Sequence, residues 1–297
     1  MKGQALRLRE IVEQRREDPR LVRPPNLVGL TLSPRTIAVT SGKGGVGKTN
    51  LTINMGITLA LRGKSVAILD ADLGLANVNV ALGLKVRSNL MDVIIGRKRI
   101  EEVVVEGPGG VWIIPGASGV AELADIDDVQ RNRLVESFTR LARKVDILLI
   151  DTAAGISKNV LSFALLADQV IVVTVPEPTA IADAYGMIKS LIKANPAVNI
   201  KLVVNRVLSR FEGKAVHDKI SLVVRRFLSS NIESIGTIRE DSLVGESVRQ
   251  QKPISLEYPD STTSKDISAL LPHLFDEYSD QNGLVTGFLD RLKRWFA

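Results

Sequence analysis

The chain has 297 residues, carries a formal net charge of +6 and contains no cysteine. Disulfide bonds, thiolate metal sites and a cysteine nucleophile are therefore excluded. Hydrophobic residues make up 45% of the sequence and aromatic residues only 4%, so the core must be aliphatic, which suits a parallel sheet covered by helices on both faces. No apolar run approaches the roughly 18 residues of a spanning helix, and the polar beginning gives no sign of a secretory signal. We therefore expect a cytoplasmic protein.

Much of the positive charge lies at the two ends of the chain. Residues 1–36 contain eight Lys and Arg against four Asp and Glu, and residues 284–297 contain three against one. Basic ends favour acidic partners. Residues 2–18 have the apolar spacing of a short helix, and several prolines follow. Because no compact domain fits before residue 35, residues 1–34 are predicted to form a peripheral arm with a proline-rich linker.

A glycine-rich loop follows the first strand of the predicted core. Residues 36–40 read as a buried strand, residues 51–61 have helical spacing, and G-x-x-x-x-G-K-[ST] runs from Gly42 to Thr49 between them. In this setting, backbone N–H groups and the helix N-terminus bind phosphates. Lys48 is expected to reach the β- and γ-phosphates and Thr49 to bind Mg²⁺. The predicted phosphate loop comprises Gly42, Lys43, Gly44, Gly45, Val46, Gly47, Lys48, Thr49 and Asn50.

Apolar runs then alternate with helical patterns up to residue 279. This alternation predicts an α/β domain over residues 35–279, with a doubly wound, mostly parallel sheet. Further strands are predicted at 65–70, 111–114, 146–151, 169–175, 200–205 and 234–238, and further helices at 89–95, 129–144, 158–167, 180–195, 216–228 and 264–278.

Carboxylates stand at the carboxyl ends of two of these strands. Asp70 and Asp72 follow the second strand, and Asp151 ends the fourth after an apolar run. Ligands of open α/β sheets bind at this edge. These acids are therefore candidates to act beside the phosphate loop, with solvated strand-end acids as the alternative.

The extra lysine in the loop, Lys43, resembles the deviant Walker A lysine of the MinD/ParA family of ATPases. In that family this lysine crosses a dimer interface and contacts the partner's nucleotide. The resemblance implies ATP and Mg²⁺ as cofactors and an ATP-dependent homodimer. A solvated loop charge is the alternative for Lys43.

The same resemblance implies roles for the strand-end residues. Asp72 would orient or activate the attacking water, and Asp70 would help to hold Mg²⁺ through water. Asp151 would be the Walker B acid, and Gly155, in a segment that resembles switch II, would offer its N–H to the γ-phosphate. Phosphoryl transfer needs positioning and charge neutralisation more than covalent chemistry. The expected catalytic residues are thus Lys43, Lys48 and Asp72, and the expected Mg²⁺ site is Thr49, Asp70 and Asp151.

The base end of the site is expected at the last two core strands. The family uses an Asn at the position of Asn205 to bind the adenine edge, and an amide can both donate and accept. Arg206 follows it, and Ile238 and Arg239 match a second family block near the nucleotide. No guanine-type N-K-x-D segment is present, which favours adenine. A polar strand-end residue without ligand contact is the alternative for Asn205.

Residues 280–297 are predicted to form an amphipathic membrane-targeting helix. Its apolar residues recur at spacings of three and four, with basic residues beside them, which is typical of helices that lie in a membrane interface. Packing of this helix on its own domain is the alternative, and both can hold in different nucleotide states. The predicted membrane face comprises Leu284, Val285, Phe288, Leu289, Leu292, Trp295 and Phe296.

The N-terminal arm narrows the resemblance. Gln4, Ala5, Leu8 and Arg9 resemble the D-Q-A-x-x-L-R activator motif of the FlhG family of MinD-like regulators of flagellar number and placement, with Gly3 in place of the Asp. The resemblance implies stimulation of the FlhF GTPase, contacts with flagellar basal-body and C-ring proteins, and reversible association with the anionic inner face of the cell membrane. DNA is not an expected partner.

Three other functions remain open at this point. A division-site MinD would share everything except the arm. A ParA-type partition ATPase would use basic residues on DNA without needing the terminal helix. A metabolic P-loop enzyme would need an acceptor pocket that the sequence does not identify.

Overall fold

The computed structural model describes residues 34–72, 77–116, 127–275 and 287–295. Within them, eight strands form one sheet in the order β3-β4-β2-β5-β1-β6-β7-β8. Neighbouring strands are parallel except for the pair β3 and β4. The strands are β1 (Arg35–Ser41), β2 (Val66–Ala71), β3 (Val105–Glu106), β4 (Trp112–Ile114), β5 (Ile147–Ala154), β6 (Gln169–Thr174), β7 (Ile200–Val207) and β8 (Glu233–Arg239).

Helices cover both faces of this sheet. The α-helices are α1 (Lys48–Leu61), α2 (Asn77–Ala81), α3 (Leu90–Ile94), α4 (Ile100–Val103), α5 (Asp128–Ala142), α6 (Lys158–Leu165), α7 (Pro178–Ala194), α8 (Arg210–Leu228), α9 (Ser242–Arg249), α10 (Ile254–Glu257), α11 (Thr262–Leu270) and α12 (Phe288–Trp295). None of these described helices is long and apolar enough to cross a membrane.

The central strands are apolar along their whole length because both of their faces are buried. In β5, Leu148 and Ile150 belong to one hydrophobic cluster, whereas Ile147 and Leu149 belong to another. Successive side chains of a strand point to opposite faces, so one strand supplies both cores. This two-sided burial confirms the predicted doubly wound α/β fold and explains why its strands appear as uninterrupted apolar runs.

Several element boundaries differ from the predictions for local reasons. Helix α8 begins at Arg210 rather than residue 216, because the Ser209 hydroxyl accepts a hydrogen bond from Glu212 N and caps an earlier turn. Helix α11 ends at Leu270, and Pro272 begins a separate 3-10 turn. The terminal helix begins at Phe288, after a non-helical residue 287. Strand β3 and four helices were not predicted: α2, α4, α9 and α10.

Candidate functional site

The phosphate loop joins β1 to α1 in a conformation that only glycine accommodates readily. Gly47 has φ 92°, and a Cβ there would lie 2.4 Å from Asn205 Nδ2. A Cβ at Gly42 would lie 2.1 Å from Asp183 O. The loop is therefore packed tightly between β7 and α7, and a side chain at either glycine would displace it.

Asp151 is the centre of a buried polar cluster at the start of α1. Its carboxylate accepts hydrogen bonds from Thr49 Oγ1 at 2.7 Å and Thr52 Oγ1 at 3.1 Å, and it pairs with Lys48 Nζ at 3.4 Å. Burial raises the pKa of Asp151 against the opposing pull of Lys48 and the hydroxyls. Lys48 and Thr49 are thus held where the loop motif requires them.

Asp70 lies beside Asp151, because the two residues are register partners in β2 and β5. It is fully buried, and its carboxylate accepts from Asp72 N at 3.1 Å and Val78 N at 3.0 Å. Burial, reinforced by the charge of Asp151, raises the pKa of Asp70 to about 7 despite these two donors. A second buried carboxylate at this point suits a cation.

The raised pKa of Asp70 predicts a pH-dependent cost to the metal-free fold. The unfolded carboxyl loses its proton near pH 4 and the folded one near pH 7, so the free energy of unfolding should fall as pH rises between these values, by roughly 3–4 kcal/mol. Asp70→Asn should remove this slope. The free energy of unfolding can be measured with urea in the presence of EDTA. The stability of Asp70→Asn relative to wild type should be about 1–3 kcal/mol higher at pH 8 than at pH 5. If the difference in free energy of unfolding between the two proteins is the same at both pH values, the pKa of Asp70 is not raised in the folded state.

A cleft of about 940 Å³ opens over the loop at the carboxyl edge of the sheet. Its wall continues past the predicted residues onto α9 and α11, two helices whose residues were not predicted to line the site. The cleft-lining residues that were predicted are Gly44, Gly45, Val46, Gly47, Lys48, Thr49, Asn50, Asp72, Asn205, Arg206, Ile238 and Arg239.

The base end of the cleft is held by side chains from distant parts of the chain. Asn205 Nδ2 donates to Val46 O at 2.8 Å, so the amide braces the phosphate loop in this structure. Arg239 forms a two-pronged pair with the buried carboxylate of Asp266, through Nε at 2.9 Å and Nη2 at 2.8 Å. Adenine recognition by Asn205 stays a prediction.

Lys43 is held within its own chain. Its Nζ contacts Glu177 Oε2 at 2.8 Å and Thr179 Oγ1 at 2.9 Å, and this contact lowers the pKa of Glu177. The side chain of Lys43 is 37% exposed, so the pair can exchange for another partner at modest cost. Gly155 is likewise engaged, because its N–H donates to Ser41 O at 2.9 Å.

The terminal helix α12 packs on the domain in this structure. Phe288 and Leu292 are 1% and 2% exposed, and Phe288 makes an edge-on ring contact with Phe138 of α5. Trp295 makes a similar contact with Phe163 of α6. The members of the predicted membrane face that the structure describes therefore pack on the domain: Phe288, Leu289, Leu292 and Trp295. Leu284, Val285 and Phe296 lie outside the described residues, as do Gln4, Ala5, Leu8 and Arg9.

A charged contact holds α12 beside its buried apolar residues. Arg291 Nη2 pairs with Asp168 Oδ1 at 2.5 Å, and Arg291 Nε donates to Leu166 O at 2.8 Å. Asp168 also accepts from Thr36 N at 2.7 Å, which ties the contact to the first residues of β1. The sequence placed Arg291 only on the polar side of the helix.

Comparison with known proteins decides the family. Residues 37–254 match the family model described as CobQ/CobB/MinD/ParA nucleotide binding domain. The chain belongs to this family. It is therefore a nucleotide-binding ATPase, and the predicted catalytic class is confirmed.

Individual members of the family are similar over most of the chain. The Antiactivator FleN of Pseudomonas aeruginosa is 41% identical over 230 residues, covering 77% of this chain and 82% of FleN. The flagellum site-determining protein YlxH of Helicobacter pylori is 33% identical, covering 79% of each. The septum site-determining protein MinD of Pyrococcus horikoshii, solved with Mg-ADP, superposes with a TM-score of 0.66 at 27% identity, covering 82% of this chain and 96% of MinD.

The family's Mg²⁺ can be matched to residues of this site. Asp151 and Asp70 offer buried carboxylates and Thr49 a hydroxyl, which are the hard oxygen donors that Mg²⁺ takes. Among the described residues, no cluster of three or more acidic, His or Cys side chains could hold a metal alone.

Proposed function

We propose that the chain is an ATP-driven switch that controls the number and placement of flagella. ATP and Mg²⁺ bind at the phosphate loop and join two copies, with Lys43 reaching the partner's nucleotide. The dimer then binds the anionic inner face of the cell membrane through residues 284–297. Hydrolysis, with water oriented by Asp72, returns the monomer.

The docked state of α12 is the observation that supports nucleotide control of the membrane helix. The described apolar residues of α12 pack on the domain, so they are not available to lipid in this state. Burial of Phe288 and Leu292 is worth about 1.5–3 kcal/mol for each side chain, so a structural trigger is needed to release them. Membrane binding and core packing then become two states of one helix.

Dimerisation supplies both a trigger and a gain in affinity. The contact of Lys43 with Glu177 must open before Lys43 can reach a partner. Glu177 and the partner's nucleotide therefore compete for the same side chain. One helix with so few apolar side chains binds a membrane weakly. Two helices on one dimer bind more tightly because the second binding event is intramolecular.

The flagellar output is supported by the relatives. FleN is named an antiactivator and YlxH a flagellum site-determining protein, and the chain covers most of each. The arm at residues 1–34 carries the motif that resembles the FlhG activator. From these two observations we infer that the arm stimulates FlhF and that basal-body or C-ring proteins receive the signal.

Two other functions within the family are the competing candidates. A division-site MinD would share the site and the membrane helix but would have no use for the arm. A ParA-type partition ATPase would bind DNA, and its activity would not need the apolar face of α12. A function for the arm therefore distinguishes our proposal from a division-site MinD, and a function for the terminal helix distinguishes it from a ParA-type partition ATPase.

Stimulation of FlhF by the arm is the direct test of the flagellar role. A synthetic peptide of residues 1–23 should accelerate GTP turnover by FlhF, because it would supply or position polar groups at another nucleotide site. Groups that stabilise charge in phosphoryl transfer are worth about 10³–10⁵ in rate, and a smaller gain is expected if the peptide only orients residues already present in FlhF.

The matched control is a peptide with Gln4→Ala and Arg9→Ala, which keeps the length and the apolar residues of the arm. It should lose most of the stimulation. If neither the wild-type peptide nor the full chain accelerates FlhF, the flagellar role is wrong and a division-site function becomes the better account.

A further inference from the structure

A small basic pocket lies between α3, α4 and α5, apart from the nucleotide cleft. Its volume is about 230 Å³, and its lining carries five cationic side chains against two carboxylates. The carboxylates are already neutralised by arginines of the same pocket. Arg140 Nη1 pairs with Glu136 at 2.6 Å, and Arg99 Nε pairs with Glu102 at 3.3 Å.

Three cations remain in surplus: Arg97, Lys98 and Arg133. Neither Arg97 nor Arg133 forms an ion pair with any residue in the part of the chain that the structure describes. Arg133 lies across the backbone of Gly96, where a Cβ would come within 2.7 Å of its Nη1. The lack of a side chain at Gly96, whose φ is 80°, thus leaves room for the guanidinium at the pocket.

The lining chemistry suits one phosphate group better than a macromolecule. Among the lining residues that the structure describes, Val93 is the single large apolar side chain and none is aromatic. Strands of nucleic acid need aromatic platforms for their bases, and protein interfaces need an apolar centre. Arginines without partners, set around a small polar pocket, are the usual means of binding a phosphate.

The source of this phosphate follows from the position of the pocket. Helix α5 carries pocket residues Arg133 and Arg140 and also packs against α12 through Phe138. Residues of α3, α4, α5 and α12 pack into one hydrophobic cluster on the same face of the sheet, so a membrane that receives α12 meets the face that also bears the pocket. We propose that this pocket binds the phosphodiester headgroup of an anionic phospholipid, an inference that rests on the proposed membrane function.

Vesicle binding by the full chain, with Mg²⁺ and a non-hydrolysable ATP analogue, tests the pocket. The vesicles are phosphatidylcholine with and without phosphatidylglycerol. Arg97→Gln with Arg133→Gln removes two pocket charges. Lys219→Gln with Arg225→Gln is the matched control, because both residues are exposed on α8, which packs on β7 and β8 at the far edge of the sheet.

Each basic residue near an anionic surface contributes about a fivefold factor in binding. The pocket variant should therefore lose roughly thirtyfold in affinity for the phosphatidylglycerol vesicles, with ATP binding unchanged, and the control pair should lose less than fivefold. Equal losses in the two pairs, or no loss in the pocket variant, would overturn the proposal.

Two further measurements test whether the bound phosphate belongs to a lipid and whether residues 284–297 bind the membrane. Soluble glycerophosphoglycerol should compete with the vesicles for the wild-type protein and not for the pocket variant. If the protein binds this headgroup or inorganic phosphate but binds no vesicles, the pocket does not bind a lipid. A chain lacking residues 284–297 should lose vesicle binding. If it keeps full binding, residues 284–297 do not bind the membrane. The pocket variant and its control still test whether the pocket binds lipid.

Discussion

Asp72→Ala should hold the protein as an ATP-bound dimer. Asp72 lines the cleft and is positioned by Asn77, whose Nδ2 donates to Asp72 Oδ2 at 2.6 Å. Removing a group that orients or activates water costs about 10²–10⁴ in turnover, whereas Lys48 and Thr49, which are predicted to bind the phosphates and Mg²⁺, are unchanged. ATP should therefore bind normally and persist. Light scattering should then report a dimer for this variant with ATP and a monomer for wild type with ADP.

The matched control adds Lys43→Ala to this variant. The double variant keeps Lys48 for nucleotide binding but lacks the side chain that would cross to the partner, so it should bind ATP and remain monomeric. If the Asp72→Ala protein binds ATP and is still monomeric, ATP does not drive dimerisation.

Arg291→Ala should release α12 without nucleotide. The substitution leaves Asp168 without its cation and removes the hydrogen bond to Leu166 O. Hydrogen bonds to charged groups are worth about 1.5–3 kcal/mol, which corresponds to a tenfold to hundredfold shift towards the undocked helix. Sedimentation with anionic vesicles in ADP should therefore increase, although the variant has lost a positive charge.

Lys293→Ala provides the comparison, because Lys293 lies exposed on the same helix and carries the same charge. Its loss should weaken vesicle binding slightly in ADP and in ATP. The docking contact is refuted if Arg291→Ala and Lys293→Ala change vesicle binding in the same direction.

Local patterns in the sequence were sufficient for the phosphate end of the site. The loop from Gly42 to Thr49 and the apolar run before Asp151 are short segments whose residues act together, and the sheet places them side by side. Helix α12 was also predicted by spacing alone, with core packing left open as one of its two states. The structure confirms that packing, and membrane binding remains a prediction.

Contacts between distant residues could not be read from the sequence. Arg291 pairs with Asp168, which is 123 positions away, and Arg239 pairs with Asp266 across 27. Neither pair has a local pattern, since each depends on where a helix packs against the sheet. The short helices were missed for another reason. Three of the missed helices, α2, α4 and α10, have only four or five residues and are too short to show a clear 3.6-residue period.

The fluorescence of Trp295 gives the most direct test of the nucleotide-driven membrane switch. The chain has two tryptophans, so Trp112→Phe leaves Trp295 as the single reporter on α12. In the Asp72→Ala background, vesicles of brominated anionic lipid should quench Trp295 with ATP and Mg²⁺, because the helix enters the membrane. With ADP, the contact with Phe163 should persist and quenching should be absent. Equal quenching with ATP and ADP, or vesicle binding with ATP that leaves Trp295 unquenched, would contradict the switch.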